Sequence, residues 1–309
     1  MGGPVMLLHV LGPIFALIGL GYLFARRRWV SEEGLRGLND FAFKLAMPAL
    51  LFAGATSPHS GGGVVAVAFF AGCLTTYGLA LLLGWRLLRL RLSEAGSFAL
   101  NCSFGNTNMI GIPVILAVFG QSGLALLLGI LALHSLILLP LATVVAELAH
   151  SSQASMTRIL KPTLLAVLRN PIVLAVLLGL LVTLAGIPVP ATARRFLDLV
   201  GQAGPPVALF TLGASLLSFN ARRDWPEALM GCGLKLAFMP GLVWGAGLAL
   251  GLGGEALAVA VLTAAMPTGA NAFFLARRYM SGAERSGATV LIATLLSTVT
   301  LSALLLLLT

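Results

Sequence analysis

The sequence predicts an all-α polytopic membrane protein of ten transmembrane helices, built as a 5+5 inverted repeat. Three observations predict it. The residues are 59% hydrophobic and only 9% charged, with a mean hydropathy of +1.01, whereas a soluble domain carries about 25% charged residues. Apolar runs close to the 20 residues that span a bilayer core as a helix recur along the whole chain. The second half also repeats the first. A shift of 158 positions lays Pro13 on Pro171, Gly21 on Gly179, Asp40 on Asp198, Pro48 on Pro206 and Phe52 on Phe210. Hydrophobic bias alone does not align Pro, Gly and Asp at one register. The runs are continuously apolar and do not alternate, which excludes an outer-membrane barrel. The 36 glycines suit close helix packing.

The ten spans are predicted at 4–25, 38–56, 63–84, 94–119, 122–146, 168–186, 196–217, 227–250, 255–276 and 286–308. Span one starts without a basic leader, as MGGPVMLLHV, and its arginine cluster follows the apolar run; a cleavable signal peptide is not expected. Span two carries Asp40, Lys44 and Pro48, four residues apart and so on one helix face. Spans three and ten carry no charged residue, while span six has Arg169 and span seven Asp198 close to their starts. Span four contains GNTNMIGIP. Span five holds a lone histidine, His134, in ILALHSLILLP, and span eight a lone lysine, Lys235. Span nine contains MPTGANAFF. The connections are short, so no soluble domain is inserted. The longest is read as a hinge over 151–167, between a first repeat at 1–150 and a second at 168–309. Cys73, Cys102 and Cys232 are odd in number and lie inside apolar runs, which predicts packing roles and no disulfide framework.

Charge sets the orientation. Of the 19 basic residues, all but Lys44, Lys235, Arg194 and Arg195 fall in or beside the odd-numbered connections. Basic residues next to spans stay on the cytoplasmic side, so the odd loops are placed there and both termini on the other side. This sorting also accounts for the net charge of +9, and it removes the case for a nucleic-acid partner.

Spans four and nine carry the chemistry. Pro113 lacks an amide hydrogen and clashes with the preceding turn, and Gly105 and Gly111 tolerate unusual dihedrals. Asn106, Thr107 and Asn108 can satisfy the groups that an unwound turn releases. Pro267, Thr268, Gly269 and Asn271 repeat these ingredients, and a shift of 161 sets Thr107 on Thr268. Unsatisfied backbone groups cost several kcal/mol each in hydrocarbon, so such breaks face protein or an aqueous cavity. Half-helix N-termini present partial positive charge and free N–H donors, for which a carboxylate is the natural guest. Paired breaks in an inverted repeat are the signature of alternating-access transport.

These residues carry a family resemblance. NTNMIGIP, AAMPTGANAFFLA, LNDFAFKLAMPALLF, the RNP at 169–171 and ALFTLGASL together resemble the auxin efflux carrier family, which includes the plant PIN proteins and small bacterial relatives. The resemblance covers essentially the whole chain. It implies ten helices with a scaffold domain and a transport domain, helices 4 and 9 crossing, movement of small organic anions, and a homodimer. The long central hydrophilic loop of the plant carriers is missing. This favours a bacterial-type member of the inner (cytoplasmic) membrane, whose relatives are associated with carboxylates such as malate or malonate, over an auxin carrier.

The substrate site is therefore expected at Asn106, Thr107, Asn108, Gly111, Pro113, Pro267, Thr268, Gly269 and Asn271. Asp40, Lys44, Lys235 and His134 are the candidates for coupling or charge. Lys235 lies about 12 Å into its span at 1.5 Å per residue, where a charge is functional by default unless it snorkels to the interface. Asp40 and Lys44 form either a plain ion pair or a gate. His134 either shuttles protons or bonds a neighbouring helix. Carboxylates lie only near span ends, which makes sodium less expected than protons as coupling ion. A sodium-coupled carrier resembling the bile-acid symporters is the alternative. No cofactor or metal site is expected. A membrane enzyme built on Ser103, Cys102 and His134 lacks His-Glu-x-x-His spacing and a nucleophile elbow. A channel or sensor is the other remote class, and ATP drive lacks a phosphate-binding loop.

Overall fold

A computed structural model of the chain describes residues 3–56, 62–150, 165, 169–219 and 224–308. The expected hinge at 151–167 lies outside these residues apart from Leu165. The helices are α1 (Gly3–Arg26), α2 (Glu32–Ala55), α3 (Gly62–Leu87), α4 (Leu92–Ser103), α5 (107–119), α6 (121–149), α7 (Pro171–Leu184), α8 (Ala191–Ser218), α9 (Trp225–Ala249), α10 (Gly254–Ala264), α11 (Ala270–Arg278) and α12 (Ala283–Leu308). No strand occurs among the described residues. Among the described residues, six stretches are long and apolar enough to cross a membrane: α2, α3, the α5–α6 run, α8, α9 and α12. The chain is thus a multi-pass, all-helical membrane protein.

Two helices begin earlier than hydropathy predicts. The Ser31 side chain caps α2 by accepting from the Gly34 N–H at 3.0 Å, and Glu32 and Glu33 fill its first turn. That is where carboxylates suit the helix dipole. The amphipathic turns up to Leu38 are too polar to register as a span. The same holds for α8, which begins at Ala191. Between α5 and α6 the chain turns at Gly120, with φ 62° and ψ −147°. A Cβ is strained in that region, so the corner needs glycine.

Three prolines reshape the helices in one way. Ala42–Ala46, Thr107–Gly111 and Leu234–Phe238 are π-turns, and each ends two residues before a proline: Pro48, Pro113 and Pro240. A proline ring crowds the carbonyl four residues back and offers it no N–H. Widening that turn to i→i+5 spacing relieves the crowding, and such bulges cluster at functional positions.

The helices pack chiefly in two groups, α1, α2, α7 and α8 in one and α3–α6 with α9–α12 in the other. Lipid tails are as apolar as leucine, so close van der Waals approach has to hold these contacts. A Cβ on Gly21 of α1 would stand 1.8 Å from the Phe210 carbonyl oxygen of α8. One on Gly213 would stand 1.9 Å from the Ile18 oxygen. The two backbones therefore touch. Across α2 and α7, a Cβ on Gly179 would lie 2.6 Å from Ala55 Cβ and 3.0 Å from the Phe52 oxygen. The C-terminal end of α2 is closed by donors from the second half of the chain. Arg194 donates to the Ala53 carbonyl (3.2 Å) and to Thr56 Oγ1 (3.2 Å), and the Thr183 hydroxyl donates to the Ala55 carbonyl (2.9 Å). The cysteines Cys73, Cys102 and Cys232 are free and buried.

The glycine contacts generate a prediction. Gly21→Val forces α1 off α8 and destabilises the protein by at least the ~1–3 kcal/mol typical of overpacking. Gly19→Ala, two residues away with nothing within 4 Å of its Cβ position, leaves stability unchanged. Thermal unfolding of the purified proteins in detergent compares the two.

Candidate functional site at the paired helix breaks

The run predicted as span four is broken between α4 and α5, and span nine between α10 and α11. The two breaks satisfy each other. The Asn106 N–H donates to the Pro267 carbonyl at 2.7 Å, and the Gly269 N–H donates to the Phe104 carbonyl at 2.9 Å. Gly105 and Thr268 form an isolated antiparallel bridge. The Thr268 hydroxyl donates to the Asn101 carbonyl (2.8 Å) in the last turn of α4. Each break thus supplies what the other has lost, and both remain buried.

The helix ends around this bridge are nearly all accounted for. At the start of α5, the Asn106 side chain accepts from the Met109 N–H (3.3 Å), and the Asn106 carbonyl accepts from Ile110 and Gly111, each at 3.1 Å. At the end of α4, the Ser103 carbonyl takes the Cys73 thiol at 3.6 Å. At the end of α10, the Ala264 carbonyl takes the ammonium of Lys235 at 2.5 Å. The first N–H groups of α5 and α11, on Thr107, Asn108, Ala270 and Asn271, are donors that no helix can satisfy from within.

The sequence-predicted residues separate into three sets. Asn106, Thr107, Gly111, Pro113, Pro267, Thr268 and Gly269 are buried at the breaks, while Asn108 is half-buried. Lys235 is 0% exposed and joins them from the π-turn of α9, with Met239 Sδ 3.6 Å from its Nζ. It does not snorkel. His134 of α6 joins them too: its ring lies 4.4 Å from that of Phe104, and its Nε2 is buried without a hydrogen-bond partner. Asn271 is exposed in the first turn of α11, two residues beyond the paired Gly269. Asp40 and Lys44 stand apart. They form an exposed i,i+4 ion pair at 2.8 Å in α2.

One residue of the cluster was not anticipated. Asn101 is 1% exposed. Its Oδ1 accepts from the Ser286 hydroxyl of α12 at 2.9 Å, and its Nδ2 has no hydrogen-bond partner. Asn106 Nδ2 is likewise buried without one. The signal for Asn101 was a third amide, in LNCSFGNTN, five residues before the break. It sits within regular helix, where no interruption marks it out.

The sequence model of the "Membrane transport protein" family matches residues 6–305. The chain is 29% identical over 300 residues to a Rhizobium meliloti (strain 1021) protein named "Putative malonate transporter", covering 95% of this chain and 93% of that one. It is 25% identical over 278 residues to "Uncharacterized transporter YfdV" of Escherichia coli (strain K12), covering 86% of each. It is 26% identical over 304 residues to an "Uncharacterized transporter" of Methanothermobacter thermautotrophicus, covering 97% of each. The likeness extends across the membrane helices and both breaks, and the chain accordingly belongs to the membrane transport protein family: it is a transporter and not an enzyme.

Proposed function

We propose that this protein is a secondary transporter of a small organic anion, a mono- or dicarboxylate of the malonate or malate kind. It works by alternating access around the point where spans four and nine cross. The observation that carries the reading is the reciprocal pairing of the two breaks through Asn106–Pro267 and Gly269–Phe104. The unsatisfied N–H donors of α5 and α11 then bind the carboxylate, framed by Asn106, Thr107, Asn108, Thr268 and Asn271. The name of the Rhizobium relative supports malonate as the first candidate.

In this reading the ten spans form a 5+5 inverted repeat, with both termini outside the cytoplasm. Contacts that swap under the repeat support it. Gly21 meets Phe210, and Gly179, the counterpart of Gly21, meets Phe52, the counterpart of Phe210. Asn106 and Pro267, directly hydrogen-bonded, are themselves counterparts at the 161-residue shift. A local two-fold axis through the breaks gives inward- and outward-facing states with equivalent surroundings for the substrate.

Purified protein in proteoliposomes should take up labelled malonate or malate saturably, with competition by other small carboxylates. Proton and sodium gradients imposed in turn identify the coupling ion. Asn106→Ala should lose most of this uptake while still folding and inserting. Normal transport by folded Asn106→Ala and Asn271→Ala proteins would overturn the site. The orientation has its own test in a cysteine-free background. A cysteine at Trp29 or Arg89 should react only from the cytoplasmic side, and one at Ile187 or Leu252 only from outside.

A further inference from the structure

Lys235 poses a problem that the proposed function does not absorb. The chain contains ten carboxylates, and all of them are exposed or half-buried, whereas Lys235 is fully buried. No carboxylate among the described residues pairs with it, whereas Arg36 and Lys44 pair with Glu32 and Asp40. An isolated cation in an apolar interior is costly. What surrounds this one is the negative end of helices. Its Nζ lies 2.5 Å from the carbonyl of Ala264, the last residue of α10, and 3.6 Å from Met239 Sδ. A Cβ built on Gly105, two residues past the end of α4, would lie 3.4 Å from Nζ. The ammonium is thus lodged where the C-termini of both half-helices come together, and each contributes partial negative charge.

In transporters with broken helices, unwound carbonyls and half-helix C-terminal ends are the groups that coordinate a coupling cation such as sodium. We propose that Lys235 is a tethered cation that occupies this position permanently, so that the helix crossing is held together without a free metal cation and transport is independent of sodium. The role of the lysine rests on the transport reading only for the last clause. Its structural part stands on the contacts of Nζ alone. The π-turn at Leu234–Phe238 belongs to the same device: it lies on the turn that Pro240 widens, and Lys235 is its second residue.

The test is chemical replacement. Beyond Cβ, the lysine side chain is a propylammonium ion, so Lys235→Ala leaves a cavity of that shape. In detergent, with no transported solute, Lys235→Ala should unfold several degrees below the wild type. Its midpoint should rise with propylammonium or sodium, by linkage of binding to folding, and should not rise with bulky N-methylglucamine. The wild-type midpoint and wild-type uptake should not change when sodium replaces N-methylglucamine. Lys235→Met keeps the packing and removes the charge, and it should show the same loss of stability and uptake. Wild-type protein that is stabilised by sodium or needs it for uptake would overturn the proposal. So would Lys235→Met with full stability and full uptake, or a folded Lys235→Ala that no cation stabilises. If proteoliposomes transport no carboxylate at all, the proposed function fails and the stability experiment still decides the role of Lys235.

Discussion

The structure depends on a rule about hydrocarbon: a helix can be interrupted there only if something else satisfies the released backbone groups. This chain meets the rule by pairing two interruptions. Asn106 donates to Pro267 and Gly269 donates to Phe104. The flanking helix ends are closed by Thr268, by the Cys73 thiol and by Lys235. The polar residues of spans four and nine therefore do two jobs. Some, such as Thr268, tie one break to the helix beside the other. Others, the first amides of α5 and α11, are donors that their own helices cannot satisfy.

Much of this was legible in the sequence because the departures from plain membrane helix are local and chemically loud. Two amides, a glycine and a proline within nine apolar residues mark the break of span four, and MPTGAN marks its counterpart. Lys235 was legible as a charge deep within its span, but sequence left open whether it stays buried or snorkels to the interface. Its partner was not legible, because the Ala264 carbonyl belongs to the backbone of another helix and leaves no trace in side-chain pattern. Asn101 was missed for a related reason: its carbonyl and side chain serve Thr268 and Ser286 across the fold, while its own segment is regular helix. The early starts of α2 and α8 were hidden by amphipathic first turns. Asp40 and Lys44 were readable as an i,i+4 pair, but sequence could not tell an exposed pair from a gate.

The division of packing bears on the two groups of helices. Close glycine contacts hold both groups: Gly21 and Gly213 bring α1 onto α8, while Gly129 brings α6 onto α3 at Gly62 and Gly72 brings α3 onto α9 at Val243. π-turns beside a proline likewise occur in both, in α2 of the first group and in α5 and α9 of the second. What sets the second group apart is that four of its helices, α4, α5, α10 and α11, flank the paired breaks.

The mutual pairing of the breaks also has a consequence for how the protein is made. Asn106 and Pro267 are 161 residues apart in the chain. At synthesis rates of ~5–20 residues per second, span four reaches the membrane roughly 8–30 seconds before its partner exists. During that interval its open turn has to be sheltered by water, by the insertion machinery or by a provisional straight helix that later opens. Quality control of the newborn chain therefore has a natural checkpoint late in translation, and truncation anywhere before span nine leaves the first half with an exposed polar wound in the bilayer.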